Sequence, residues 1–403
     1  MSNLVTPQPE RAFNLNSETR LNGIPLLRLG FRPFYLAAAL FACLAIPFWL
    51  ALFLGKISVR ISVPPLFWHA HEMLFGFAIA VIVGFLMTAI KAWTSLTTPR
   101  GLTLGSLVLL WIAGRVAAIT GPYALYAALD LAFLPTVAAM LGAILLRAKN
   151  QRNLALIALL LFLSVANLTF HLAVSSIIDV PPMKALHVAL ALIVLIQCVM
   201  AGRVVPAFTA AMTPGLKIIT QPLLEKFTLS TTALALSLWL FTTLNMITAL
   251  ALLIAASLHV YRQMRWHPWS TRSRPILWIL HIAYLWMIVG FILLGLAATG
   301  LISQTAGVHA LAIGLTGGLT LGMMTRTARG HTGRNIKASS AEVTAYGLLI
   351  TACALRVLVP LAAPEWYVST LIVAASAWSG AFFLYLYVYA PWLLSARIDG
   401  KDG

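Results

Sequence analysis

Apolar runs of roughly 18 to 25 residues, separated by short polar turns, recur along this 403-residue chain from Phe34 to near its end, and they leave it few folds. A helix of about 20 residues crosses about 30 Å of hydrocarbon. It also keeps its backbone hydrogen bonds within itself, as a segment surrounded by lipid must. Twelve such runs lie at 33–55, 67–90, 101–120, 123–146, 154–177, 183–205, 226–243, 246–262, 275–299, 306–325, 341–360 and 366–392. The expected fold is therefore an all-α polytopic membrane protein of twelve transmembrane helices, the seventh and eighth forming a tight hairpin near Asn245. With 61% hydrophobic and 9% charged residues, the chain lacks the polar surface of a soluble domain.

Charge orients the bundle. If the spans alternate from a cytoplasmic N-terminus, 22 of the 27 Lys and Arg fall on the inner side and only Lys56, Arg60 and Lys184 outside, while Arg115 and Arg356 lie within helices. That asymmetry is what the positive-inside rule requires. It predicts a multi-pass protein of the bacterial cytoplasmic (inner) membrane with both termini cytoplasmic: a tail over 1–32, a membrane domain over 33–392 and a tail over 393–403. The first 30 residues show no short apolar segment followed by a cleavage site, so a cytosolic start is expected rather than a signal peptide. Retention charges account for the net +17, and no nucleic-acid partner is needed. Cys43, Cys198 and Cys353 fall in separate apolar helices and imply no disulfide framework.

Helices six and ten resemble each other. LHVALALIVLIQCVMAGR, at 186–203, ends at Arg203, sixteen residues after His187, and VHALAIGLTGGLTLGMMTR, at 308–326, ends at Arg326, seventeen after His309. Each separation spans about 24 to 26 Å at 1.5 Å per residue, so His and Arg mark opposite faces. Helix two repeats this faintly from His71 to Lys91. Likeness among helices two, six and ten suggests three pseudo-repeated four-helix units.

Ionisable groups in hydrocarbon need partners, and the outer half holds His69, His71 and Glu72 on helix two, Arg115 on three, Asp130 on four, His171 on five, His187 on six, His309 on ten and Arg356 on eleven. Imidazole is the common protein ligand of haem iron and copper, so His69, His71, His171, His187 and His309 are the candidate metal ligands. His69 and His71 diverge by about 200° on a regular helix and would serve different partners; a frayed first turn would let both face one metal. Asn167 lies four residues before His171 and could orient it. Arg115 and Arg356 could hold haem propionates, or Arg115 could pair with Asp130. Glu72 and Asp130 are the candidate proton carriers. Gly314, Gly317, Gly318 and Gly322 admit either a flat macrocycle or close helix packing. Toward the inner side, His281 and Tyr284, three apart, could form a quinol site or proton relay, or Tyr284 could belong to an interfacial aromatic belt. Met73, Met200, Met323 and Met324 could ligate copper or simply fill the core. No P-loop, Cys-x-x-Cys, c-type haem motif or nucleophile elbow occurs.

FRPFYL at 31–36, WHAHEMLFGFA at 68–78, NLTFHL at 167–172, AGRVVPAFT at 201–209, HIAYLW at 281–286 and RTARGHTGR at 326–334 together resemble the NnrS family over almost the whole chain. The stretch AIKAWTSLTTPRG at 89–101, with Lys91, departs from the commoner family form. The resemblance implies a twelve-helix membrane protein containing haem b and copper, produced in response to nitric oxide and associated with denitrification or resistance to nitrosative stress. Its motif positions put forward His69, His71, Glu72, His171, His187, Arg203, His281, Tyr284, His309, Arg326, Arg329 and His331. A looser, architectural likeness is to haem-copper oxidases, in which His71, His187 and His309 would match the ligand-bearing helices; the histidine pair of their seventh helix has no counterpart between Lys226 and Phe241. The expected function is reduction of nitric oxide to nitrous oxide with quinol-derived electrons. The alternatives are a haem protein that sequesters or senses nitric oxide, and a transporter of a metal or small molecule.

Overall fold

The computed structural model describes residues 23–243 and 245–402, and all of their regular structure is helical. The first 22 residues of the tail expected over 1–32, and Gly403, lie outside the described residues. The long helices are α1 (Phe31–Phe53), α2 (Pro65–Thr94), α3 (Gly101–Thr120), α4 (Tyr123–Arg147), α5 (Leu154–Val174), α6 (Pro182–Met212), α7 (Pro222–Phe241), α8 (Asn245–Met264), α9 (Pro275–Ala298), α10 (Gln304–His331), α11 (Ser340–Ala362) and α12 (Tyr367–Leu394). Eleven of these are long and apolar enough to cross a membrane, and they mark a membrane protein. The exception is α7, whose twenty residues include Glu225, Lys226 and a run of Ser and Thr. By length and composition, eleven of the twelve expected spans thus qualify among the described residues. The α7–α8 hairpin forms where expected, with α8 starting at Asn245.

Chain neighbours pack against one another along the sequence, and α1 packs against α12 to close the ring. The interior falls to a few helices. Of the most apolar stretch of α2, 89% is buried, against 72% for α10, 67% for α6 and α9, and 33% to 44% for the other helices apolar enough to span. A helix apolar on every face has no solvated side to present, so α2 stands in the middle. Small residues set how closely the central helices approach: a Cβ on Gly314 would run into the Trp286 ring, and one on Gly318 would lie 2.6 Å from the Ala283 methyl. Helix packing, one of the two roles open to the glycines of α10, accounts for both positions.

Both α2 and α10 widen after their first turns. Residues Glu72–Ala78 and Ala310–Gly317 form π-helical turns, each beginning directly after a histidine, His71 or His309. Such turns cluster at functional sites because they re-aim side chains within an otherwise regular helix. Carbonyls displaced from the ladder find partners nearby: the Trp111 indole donates to the Gly76 carbonyl at 3.2 Å, and the Thr316 hydroxyl stands 2.9 Å from the Leu311 carbonyl five residues back. Because the even-numbered helices run away from the histidines, the bundle has a histidine end and an opposite, basic end.

At the basic end, Arg32 near the start of α1 donates to the carbonyls of Trp392, Leu393 and Ser395, at 3.3, 2.8 and 2.7 Å, where α12 leaves its carbonyls without helical partners. Lys91, the departure from the family form, pairs with Asp402 at 3.3 Å.

Candidate functional site

Two sites lie at the histidine end, on different sides of α2. His69 and His71 separate them, since their side chains diverge as regular helical spacing requires. The frayed alternative, with both rings on one metal, is not what the chain adopts.

His69 faces a cavity of about 490 Å³ enclosed chiefly by α1, α2, α6, α10, α11 and α12. Its walls are mostly aliphatic and aromatic, and its polar residues include His69, His187, His309 and Arg356. Helices two, six and ten thus each contribute a histidine, but from α2 it is His69, and His71 stands outside. His309 Nδ1 lies 2.8 Å from the Thr305 carbonyl, an acceptor, which assigns the proton to Nδ1 and the lone pair to Nε2. A metal-binding imidazole is commonly oriented in this way. The His69 ring stacks on Trp49 with centroids 4.0 Å apart, and its Nδ1 is buried without a hydrogen-bond partner. His187 tilts against Trp239. Arg356 donates to the Tyr367 hydroxyl at 3.3 Å and lies over that ring, and no carboxylate pairs with it among the described residues. A guanidinium facing an apolar cavity without an acid calls for an anionic group from elsewhere. Two or three imidazoles, an acid-free cation and an apolar slot are a donor set that suits haem.

His71 turns to the second site, a buried cluster joining α2 to α3, α4 and α5. Its Nε2 lies 2.9 Å from Asn167 Oδ1, and its Nδ1 lies 2.8 Å from the Tyr126 hydroxyl and 3.1 Å from Glu72 Oε1. Asn167 Nδ2 donates to Asp130 Oδ2 at 2.6 Å, and His171 Nε2 lies 3.1 Å from the same oxygen. Arg115 pairs with Asp130 and, at 3.1 Å, with Glu72. Of the two roles open to Arg115, ion pairing with Asp130 is therefore the one realised, and the guanidinium is kept from the cavity. Asn167 orients His71 rather than His171, whose Nδ1 is met by the Tyr123 hydroxyl at 3.0 Å. Two carboxylates against one guanidinium leave one negative charge, to be met by a proton or a cation. Ligand atoms of His71, Asp130 and His171 all lie within 4.8 Å of one another, close enough to hold a metal ion. Imidazole nitrogens with a carboxylate suit copper or zinc.

The remaining candidates lie toward the basic end and, Arg326 and His331 apart, do not converge. His281 Nε2 bonds Thr209 at 3.0 Å and its Nδ1 is buried without a partner. Tyr284, which the spacing allies with His281, bonds instead to His259 and, at 3.0 Å, to Arg262, which pairs with Glu225. Arg203 donates to Asn153 at 2.6 Å. Arg329 grips Glu342 through two nitrogens, at 2.8 and 2.5 Å, and so ties α10 to α11. Arg326 lies 3.8 Å above the Phe208 ring and shares a second cavity with His331. Met73 lines the cavity that His69 faces, and Met323 the one shared by Arg326 and His331.

Sequence reasoning missed Tyr126, Tyr123, Trp49 and Tyr367. Tyr126 stands four residues before Asp130, on the same helical face, and that spacing was the available signal. The contacts of Trp49 and Tyr367 join helices remote in sequence and leave no such trace.

A family model described as NnrS protein matches residues 25–397, nearly the whole chain. No curated protein matches it.

Proposed function

The chain belongs to the NnrS family, and on that premise we propose that it is a haem- and copper-dependent protein of nitric oxide metabolism and nitrosative-stress defence. In this reading it reduces nitric oxide: two NO, two electrons and two protons give N2O and water, with quinol as electron donor. The observation that carries the reading is the cavity in which α2, α6 and α10 each place a histidine beside an arginine that has no acid partner among the described residues.

His309 would be the first choice to hold the haem iron, because the Thr305 carbonyl already holds its tautomer. His69 or His187 would supply a second nitrogen, while Arg356 and Tyr367 would meet a propionate. His71, His171 and Asp130 would hold the second metal. When bound, haem b and copper would supply redox centres for a neutral diatomic gas that reaches them through the bilayer. Glu72 would hold a proton beside that metal, Asp130 being engaged by the metal and by Arg115, and His281, with its unpartnered Nδ1, is the candidate contact for quinol.

The test is optical and metal analysis of protein purified from cells fully supplied with haem precursor and copper, followed by nitrous oxide measurement with quinol and nitric oxide. His309→Ala is expected to abolish the reduced haem band, and Arg356→Gln to lower haem retention severalfold; His267→Ala at the basic end should leave both unchanged. Protein without tetrapyrrole would end the proposal. Nitric oxide binding without nitrous oxide would leave the sequestering or sensing reading, and uptake by metal-free vesicles would favour a transporter.

A further inference from the structure

Below the outer cavity, two more cavities follow one another along the same three helices toward the basic end. The middle one, of about 60 Å³, is lined by residues of α1, α2, α6 and α10, and the inner one, of about 340 Å³, carries Thr88, Arg326, Thr327 and His331. Phe85 and Met323 line both, so these two cavities share a neck. Between the outer and middle cavities stands one side-chain pair: Thr316 lines the outer, Gln197 lines the middle, and their oxygens lie 3.1 Å apart.

The middle cavity is small and mainly apolar, with Tyr35, Gln197 and Thr320 as its polar residues. One end of the buried Gln197 amide lacks a hydrogen-bond partner, and turning the amide over would change which atom that is, not the fact. The buried Tyr35 hydroxyl, beside Thr327, also belongs to the lining, and so does Thr320, whose hydroxyl donates to the Thr316 carbonyl at 2.8 Å and keeps its lone pairs. A buried water needs about 2 to 4 polar partners and room for roughly one probe sphere; the room is there, the walls are mainly apolar, and Gln197, Tyr35 and Thr320 are the polar residues among them. The Thr316 hydroxyl has a single proton and two oxygens in reach, Gln197 Oε1 at 3.1 Å and the Leu311 carbonyl at 2.9 Å. The second of these is offered by the π turn. Switching between them makes or breaks the link across the pair.

We propose that α2, α6 and α10 enclose a water-bearing proton path from the basic end to the outer cavity, with the Thr316–Gln197 pair as its gate. Arg326, whose described partners are the Met212 sulfur and the Phe208 ring, stands at its mouth. Use of the path to deliver the two protons of nitric oxide reduction rests on the function proposed above; the path itself is tested without turnover.

Thr320→Cys is placed in protein whose Cys43, Cys198 and Cys353 are replaced by Ala, and sealed vesicles are exposed to silver ion, a thiol-reactive cation of about water's size, in nitrate buffer. Thiol left unreacted is then tagged with maleimide after denaturation. Lys337→Cys, in the loop at the basic end, reports which end faces the reagent. Protection at Thr320→Cys is expected at least tenfold faster from the basic end than from the histidine end. It should be lost when Met323→Trp fills the neck, while Leu250→Cys on the lipid-facing side of α8 shows no such preference. Ala201→Cys, on another wall of the same cavity, serves if Thr320→Cys fails to fold. Equal rates from both ends, or no protection from the basic end, overturn the path even in a protein that reduces nitric oxide. Absence of nitrous oxide with protection as expected removes the proposed reaction and leaves the path.

Discussion

The buried cluster around His71 separates two effects that deletion usually confounds. Removing one partner of a buried pair costs about 3 to 5 kcal/mol because the other charge is stranded. Here the charges are uneven: Arg115 alone faces Glu72 and Asp130. In metal-free protein, Arg115→Gln should cost the full amount, since it strands two carboxylates together, whereas Asp130→Asn leaves one acid opposite one guanidinium and should cost less. Thermal unfolding in detergent checks the order, and the reverse order would refute this charge balance. The ingredients of both sites were legible residue by residue, because a charged or imidazole side chain in an apolar run stands out. Their grouping was not. Helical spacing said that His69 and His71 diverge, but only the placement of α6, α10 and α11 decides that His69 joins His187, His309 and Arg356. His281 and Tyr284 are the converse: their spacing of three is real, yet α8 supplies Tyr284 with His259 and Arg262, and the two residues do not act as a pair.

At the scale of elements, apolar length located the helices well and their ends less so. α6 continues to Met212 although its expected end was 205, because Pro206 does not stop a helix whose neighbours satisfy the freed backbone groups. The widened turns of α2 and α10 left no mark in hydropathy, since a π turn changes the count of residues per turn and not their polarity. Close packing holds the second of them: Gly314 lies against Trp286 with no room for a methyl group. Gly314→Ala should therefore cost about 1 to 3 kcal/mol, as overpacking does. It should also disturb ligand binding in the cavity beyond that loss, because α10 carries His309 on the adjoining turn. A variant that is destabilised but binds haem with an unaltered spectrum would show that the π turn does not aim His309.

For the whole molecule, the ring of helices is closed by Arg32 and the last carbonyls of α12, a contact between residues some 360 positions apart that only the folded bundle reveals. Hydrogen bonds to a charged donor contribute about 1.5 to 3 kcal/mol. Arg32→Ala is expected to lower stability by that order and to make the chain after Leu394 more sensitive to protease, an outcome that an unchanged digestion pattern would contradict. Topology is the other property of the whole. Charge counting predicts both ends of the membrane domain on one side, which requires α7 to cross despite its polar first turn. A thiol at Lys56→Cys should react only with reagent outside the cell and one at Lys337→Cys only with reagent inside. Labelling of Asn245→Cys from outside the cell would establish α7 as a span.

The π turns after His71 and His309 carry one more implication. A residue added or lost within a regular helix rotates everything beyond it by about 100°, so imidazoles at the rim and apolar side chains at depth would normally be locked to one phase. A looser coil between them acts as a clutch: the rim can be turned to suit a metal while the deeper half keeps its seat among its neighbours.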